Sequence, residues 1–347
     1  MTVTGPLPAL ARVDDVRRQV RRRRAVVVAA LTAIVIVLVV VAISLGDYPL
    51  SPVQIWSTLT GGGERVEAYV LFQVRAPRVV MAVVAGACLG VGGALLQALL
   101  RNPLASPDLL GISGGSSVAA VFVLLILGIT GPVLAIAAFA GGMLVAALLL
   151  LAGRRTGDGG FRIVLAGIGV SFLSVAIVGY LMVRAKVELA ASALVWITGS
   201  LSSSAWWQVL IVSVVALIAI PGVLASARWL PITQLGPPTA AELGVRSTTV
   251  RFVTVLTAVL LTAVTCAFVG PISFIALCAP AIARPLLGRG AIGIGSSALT
   301  GAALLAAADL VAQFAIPDLS LPVGVVTGAL GAVFLLWILA TSKGRQL

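Results

Sequence analysis

The chain has 347 residues, 60% of them apolar, 10% charged and none histidine, with a mean hydropathy of +1.18. That composition excludes an ordinary soluble domain, and apolar runs that are continuous and helix-length exclude a β-barrel. The net charge of +12 sits on basic residues scattered between apolar runs, which fits the loops of a membrane protein better than a nucleic-acid-binding face.

The expected class is therefore all-α: a polytopic membrane protein, divided into a basic tail (1–24), a transmembrane domain (25–341) and a short tail (342–347). Arg17, Arg18 and Arg21 to Arg24 precede the 21-residue apolar run Ala25–Leu45. The run is too long for the core of a cleavable signal, and more follow, so it reads as a first crossing with a cytoplasmic basic flank. A polar segment holds Ser51-Pro52, a cap followed by proline, which predicts a short interfacial helix. The second crossing is Val79–Leu100, 22 residues without a charge that span about 33 Å as a helix. The connector Asn102 to Asp108, with prolines at 103 and 107, leads to a third crossing at about Ile112–Ile129. Gly131-Pro132 turns the chain into a fourth ending near Leu151.

Arg154 to Gly160 reads as a basic, flexible loop. A fifth crossing covers about Ile163–Val183, and a sixth runs from the interfacial Trp206 and Trp207 to about Ala225. After the polar segment 228–251, 32 uncharged residues lie between Arg251 and Arg284, interrupted by Gly270-Pro271. That length predicts two short crossings, about Phe252–Val269 and Ile272–Ala283, followed by Ala291–Ala308 and Leu321–Ala340. With ten crossings and both termini inside, 18 basic residues fall on cytoplasmic segments and 5 on the outside, which supports both the even number and the orientation.

Chemistry is scarce. Without histidine there is no Ser–His pair and no HExxH zinc site. Cys88, Cys266 and Cys278 lie inside apolar runs and read as small core residues. No glycine is followed by lysine within a phosphate-binding loop, so an ATP-driven process needs its nucleotide site on another polypeptide. Arg75 and Arg78, at the outer end of the second crossing, are read from position alone as snorkelling interfacial residues. Thr239 to Arg246 looks like a short loop helix capped by Thr239 and ended by Gly244, with Leu243 as an apolar anchor between Glu242 and Arg246. Asn102-Pro103-Leu104 reads as a tight turn, and Asp309 as an interfacial or hydrogen-bonded carboxylate. The glycines of the second crossing, Gly86, Gly90, Gly92 and Gly93, fit tight helix packing.

Several ordered motifs add a resemblance. Arg75-Ala76-Pro77-Arg78, the stretch Gly86 to Gly115, Gly270-Pro271-Ile272-Ser273-Phe274, Ala279 to Arg284 and Leu321 to Thr327 resemble the FecCD family. These are permease subunits of ABC importers for iron–siderophore complexes, haem and cobalamin. The resemblance implies the type II importer permease fold and a multi-pass protein of the bacterial cytoplasmic membrane. It implies a non-catalytic subunit that pairs with a second permease, with two ABC ATPases that hold ATP and Mg, and with an extracytoplasmic substrate-binding protein. It implies no cofactor on this chain itself and no nucleic-acid partner beside the membrane lipid. Ferric siderophore is the expected cargo, with haem or cobalamin as alternatives and an ion-coupled secondary transporter as the rival class.

Residue by residue, Arg75 and Arg78 match arginines that receive acidic residues of the binding protein. Thr239, Ala240, Glu242, Leu243, Gly244, Val245 and Arg246 match a coupling helix for the ATPase, and Asn102 and Leu104 match part of a cytoplasmic gate. Two positions depart from the family pattern: Ala281 stands where histidine is usual, and Gln313 where a third outer arginine is frequent. The second departure points to a non-identical partner permease.

Overall fold

A computed structural model describes residues 8–46, 48, 50–152, 159–288, 291–316 and 319–341. The basic residues Arg154, Arg155, Arg289, Lys343 and Arg345 lie outside the described residues. In chain order these form α1 (Pro8–Ser44), α2 (Pro52–Leu59), α3 (Arg65–Tyr69), a π-helical stretch (Val70–Arg75) and α4 (Ala76–Leu100). There follow α5 (Ile112–Phe122) with a π-helical end (Val123–Leu127), α6 (Pro132–Ala152), α7 (Gly159–Val183), α8 (Val187–Thr198) and α9 (Trp206–Thr233). The chain ends in α10 (Pro237–Glu242), α11 (Ser247–Val269), α12 (Ile275–Leu287), α13 (Ile294–Phe314) and α14 (Val323–Thr341). No strand occurs among the described residues.

Seven helices are long and apolar enough to cross a membrane: α1, the continuous helix Arg65–Leu100, α6, α7, α9, α11 and α13. The shorter apolar helices α5, α12 and α14 occupy the three remaining expected crossings. α8 is a fourth short apolar helix that the sequence reading did not foresee. It is 12 residues long, about 18 Å, well under a bilayer's hydrocarbon thickness.

Helix bounds differ from the sequence reading where local chemistry lets a helix run on. No glycine or proline interrupts the chain between Pro8 and Gly46, and α1 continues from Pro8 through the arginine run into the apolar span. The second crossing continues outward to Arg65 despite Pro77, because the turn before it is π-helical and Ala76 donates to Leu71 five residues back. The widened turn absorbs the hydrogen bond that proline cannot make. Ser51 and Gln54 form the reciprocal cap of α2 that Ser51-Pro52 announced, with Ser51 N–H donating to Gln54 Oε1 at 2.8 Å.

The centre of the bundle is α4, with α11 beside it; 72% of each apolar window is buried, against 17% for α1 and α7. Glycine sets the spacing around it. A Cβ on Gly90 would stand 2.1 Å from Ser297 O of α13, one on Gly301 would stand 2.2 Å from Gly86 O, and one on Gly93 would stand 1.7 Å from Ala276 O of α12. Backbones touch there, as small residues permit between membrane helices.

Two helices are too short to cross unaided. α12 has 13 residues, about 20 Å. The irregular segments 101–111 and 270–274 supply the missing depth. Gly111 lies against Gly167 O and Val170 in the middle of α7, and Gly270 against Trp196 O at the end of α8. Ala105, Ser106, Leu110 and Ile272 are buried, as irregular backbone at membrane depth must be. Turn hydrogen bonds run within or out of the segments, Leu110 N to Ser106 O, Gly111 N to Asp108 O and Ile275 N to Ser273 O, and Ser200 N donates across to Val269 O at the end of α11. This explains α8: its C-terminal turn packs beside the break between α11 and α12.

Gly90→Ala is expected to destabilise the protein by roughly 1–3 kcal/mol through forced separation of α4 and α13. Gly169→Ala, whose added Cβ meets nothing within 4 Å, should be neutral. Thermal unfolding and the monodisperse fraction of detergent-purified protein check the pair; equal behaviour would refute the close contact.

Candidate functional site

The outer site is built on two arginines one turn apart at the start of α4. Both are half-buried, and their guanidinium groups diverge. Arg75 donates to Ile43 O at 2.7 Å, at the C-terminal end of α1, and to Tyr48 O at 2.6 Å in the segment just beyond it. Arg78 turns to α13, where its Nε and Nη2 donate to Asp309 at 3.0 and 2.8 Å. Asp309 is 2% exposed and accepts a further bond, 2.8 Å, from Gln313 Nε2. A buried carboxylate is tolerated only when paired and hydrogen-bonded, and this one is both. Asp309 is therefore a hydrogen-bonded structural carboxylate in this structure. Gln313 satisfies the same carboxylate that Arg78 neutralises, without adding a charge.

The inner site lies at the opposite end. α10 starts at Pro237, with Gly236 as its N-cap, so Thr239 is an exposed residue within the helix rather than its cap. The two prolines supply the helical φ of the first turn and displace the start from Thr239. Its end is as Gly244 foretold: Gly244 takes a φ of 76°, donates to Ala241 O, and Val245 donates to Ala240 O. Ala240 is fully buried and holds the element down; Glu242, Leu243 and Arg246 face outward, with Leu243 59% exposed. The element thus presents one apolar side chain between two charged ones.

The connector after α4 comes close to this element. Arg101 ends α4 in the left-handed conformation, φ 51°, and its guanidinium donates to Thr233 O at the end of α9. Asn102 Oδ1 accepts from Leu104 N–H at 2.9 Å, which folds the tight turn; Leu104 is half exposed. Gln97, Arg101, Asn102, Gln234 and Arg284 line a cavity of about 400 Å³, so Asn102 and the segment leading into α10 share one space. Leu104 does not line it. Ala281, where the resemblance expects histidine, is a half-buried residue of α12.

Two polar residues of this region escaped the sequence reading as participants. Gln97 is 2% exposed; its Nε2 donates to Leu277 O at 3.1 Å, while its Oε1 has no partner. Being uncharged, it did not interrupt the apolar run. Asp108 accepts from the Ser113 hydroxyl and lies within reach of the Phe274 N–H, joining the connector to the break before α12. Its place among turn residues hid its depth. Among the described residues no group of three or more His, Cys, Asp or Glu comes together as a metal site.

A profile of the FecCD transport family matches residues 34–341. The ferric enterobactin transport system permease protein FepG of Escherichia coli is 36% identical over 87% of this chain and 91% of its own. The Fe(3+)-citrate import system permease protein YfmE of Bacillus subtilis is 37% identical over 88% and 92%. The vitamin B12 import system permease protein BtuC of Vibrio cholerae is 34% identical over 85% and 88%. Among solved structures, an ABC transporter described as of metal-chelate type, in an inward-facing conformation, superposes with a TM-score of 0.82 at 26% identity. That match covers 90% of this chain and 98% of the other. The chain belongs to the FecCD transport family.

Proposed function

We propose that this chain is the permease subunit of an ATP-driven importer whose cargo is a ferric siderophore. The observation that carries the reading is the match of nearly the whole chain to iron-chelate permeases, joined to the absence of any nucleotide-binding loop in the sequence. A separate ATPase pair holds ATP and Mg, and ATP-driven closure of that pair moves the Thr239–Arg246 element. Leu243 fits an apolar recess on the ATPase while Glu242 and Arg246 set its register. Because Arg101 clamps the end of α4 to the end of α9, displacement of α10 reaches the Asn102–Leu104 turn, the gate in this reading. The membrane is a bacterial cytoplasmic membrane, a substrate-binding protein delivers cargo outside, and the second permease is a non-identical chain.

Vitamin B12 permeases are nearly as similar as the iron-chelate ones, which keeps cobalamin as the second reading. The secondary-transporter rival needs an available intramembrane carboxylate, and Asp309 is already committed to Arg78 and Gln313. Proteoliposomes holding the chain with its ATPase and partner permease should accumulate a ferric siderophore only with ATP and binding protein present. Uptake of cobalamin instead, or uptake on an ion gradient without ATPase, would overturn the reading.

Docking at Arg75 and Arg78 requires a test that spares the fold. Arg78→Asp alone leaves Asp309 beside a like charge and should cost roughly 3 kcal/mol of stability. Adding Asp309→Arg restores the pair with its polarity reversed. The double variant should recover the wild-type melting temperature yet stay impaired in binding-protein-stimulated ATP hydrolysis; full recovery of both would remove the docking role. At the inner end, Leu243→Asp should leave the melting temperature unchanged and weaken co-purification of the ATPase roughly tenfold. Undiminished co-purification would exclude Leu243 as the anchor.

A further inference from the structure

A second cavity, of about 480 Å³, lies on the cytoplasmic side between the inner ends of α1, α9, α12 and α13. Its lining is divided. Val28, Ala227, Leu287 and Ile294 give it an apolar wall, and Arg24 and Ser296 a polar end. Arg24 is the last residue of the basic flank before the apolar run of α1, and Val28 lies one turn deeper, so the cavity straddles the boundary between headgroups and hydrocarbon.

Three kinds of donor line this cavity. The N-terminus of α13, a 21-residue helix, is capped by Gly293, which has no side chain to accept its first N–H groups. The first backbone bond of that turn is Ser297 N to Gly293 O, which leaves the N–H groups of Ile294, Gly295 and Ser296 pointing toward the cavity end with the positive pole of the helix. Ser296 is only 5% exposed and lines the cavity, and its hydroxyl has no partner among the described residues. The Arg24 guanidinium is likewise unengaged among them, whereas the adjacent Arg23 donates to Leu286 O at 2.8 Å and Pro285 O at 3.1 Å, fixing α1 against the end of α12. Above Gly295 there is open space: an added Cβ would meet nothing within 4 Å.

We infer that this cavity binds the phosphate of an anionic phospholipid of the inner leaflet, with one acyl chain along the Val28–Leu287 wall. An uncapped helix N-terminus, a buried hydroxyl and a guanidinium match phosphate oxygens. A free phosphate offers the same oxygens but has no use for the apolar wall, and the neighbouring Arg21 and Arg22 of the basic flank favour an anionic headgroup. The site lies away from the coupling element and the outer arginines, and does not depend on which chelate is carried.

The complete transporter, delipidated in mild detergent, is given phosphatidylglycerol, phosphatidylcholine or inorganic phosphate, and retained lipid is counted by native mass spectrometry. The expected result is one phosphatidylglycerol per copy of this chain, retained roughly tenfold better than phosphatidylcholine. Arg24→Gln should abolish that preference, and Arg18→Gln, with the same loss of charge off the cavity, should keep it. Gly295→Leu fills the cavity without touching a charge and should displace the lipid, which keeps the site open to refutation if Arg24→Gln fails to fold. Equal losses in Arg18→Gln and Arg24→Gln, retention by Gly295→Leu, or displacement of the lipid by millimolar inorganic phosphate would each overturn the site.

Discussion

The arrangement depends on backbone contact between α4 and its neighbours α13 and α12. In hydrocarbon no hydrophobic force draws helices together, so association rests on how closely they pack and on the few polar links between them. Gly86, Gly90 and Gly301 bring α4 and α13 to van der Waals contact, and Gly93 does so with α12. Polar clamps then fix the ends of the contact. Arg78 and Asp309 join α4 to α13 outside, and inside Arg284 of α12 donates to Ala94 O of α4 at 3.2 Å and to Ile292 O at 3.3 Å. The glycines set the distance; the clamps stop sliding along the helix axes.

That rigid centre gives meaning to the breaks around it. The irregular segments 101–111 and 270–274 lie against the middle of α7 and the C-terminal end of α8, and touch each other through Asp108. Each is held by turn hydrogen bonds, and each contains a non-glycine residue in the left-handed region, Arg101 at 51° or Phe274 at 68°. Such conformations cost about 1–2 kcal/mol and persist where surrounding contacts over-determine them. Movement of a helix pair relative to α4 is more easily absorbed at such points than within a continuous helix, and the Asn102–Leu104 turn is at one of them.

Much of this is legible in the residues alone. Every expected crossing has a helix, because a long apolar run has few alternatives in a bilayer. The cap at Ser51 and the stop at Gly244 are readable from single residues, since local hydrogen bonds decide them. What stays hidden is what depends on tertiary contact. α8 escapes because nine apolar residues beside Lys186 and Glu188 look like a loop until the break it covers is known. Thr239 reads as a cap because threonine is a common N-cap, and the competing signal, prolines at the first helical turn, is outweighed in that reading. The partners of Arg75 and Arg78 are illegible for the same reason: Ile43 is 32 positions away and Asp309 is 231.

The two carboxylates at depth bear on how energy enters. A transporter driven by an ion gradient needs a carboxylate that exchanges its charge partner during the cycle. Asp309 has a two-pronged guanidinium and an amide on it, and breaking those contacts would also remove the outer clamp between α4 and α13. Asp108 accepts a hydroxyl and faces a backbone N–H, and releasing it would free the break between α11 and α12. Both groups are invested in the scaffold through these contacts. In the proposed reading, an energy source outside the chain, applied where Leu243 protrudes, would leave that scaffold intact.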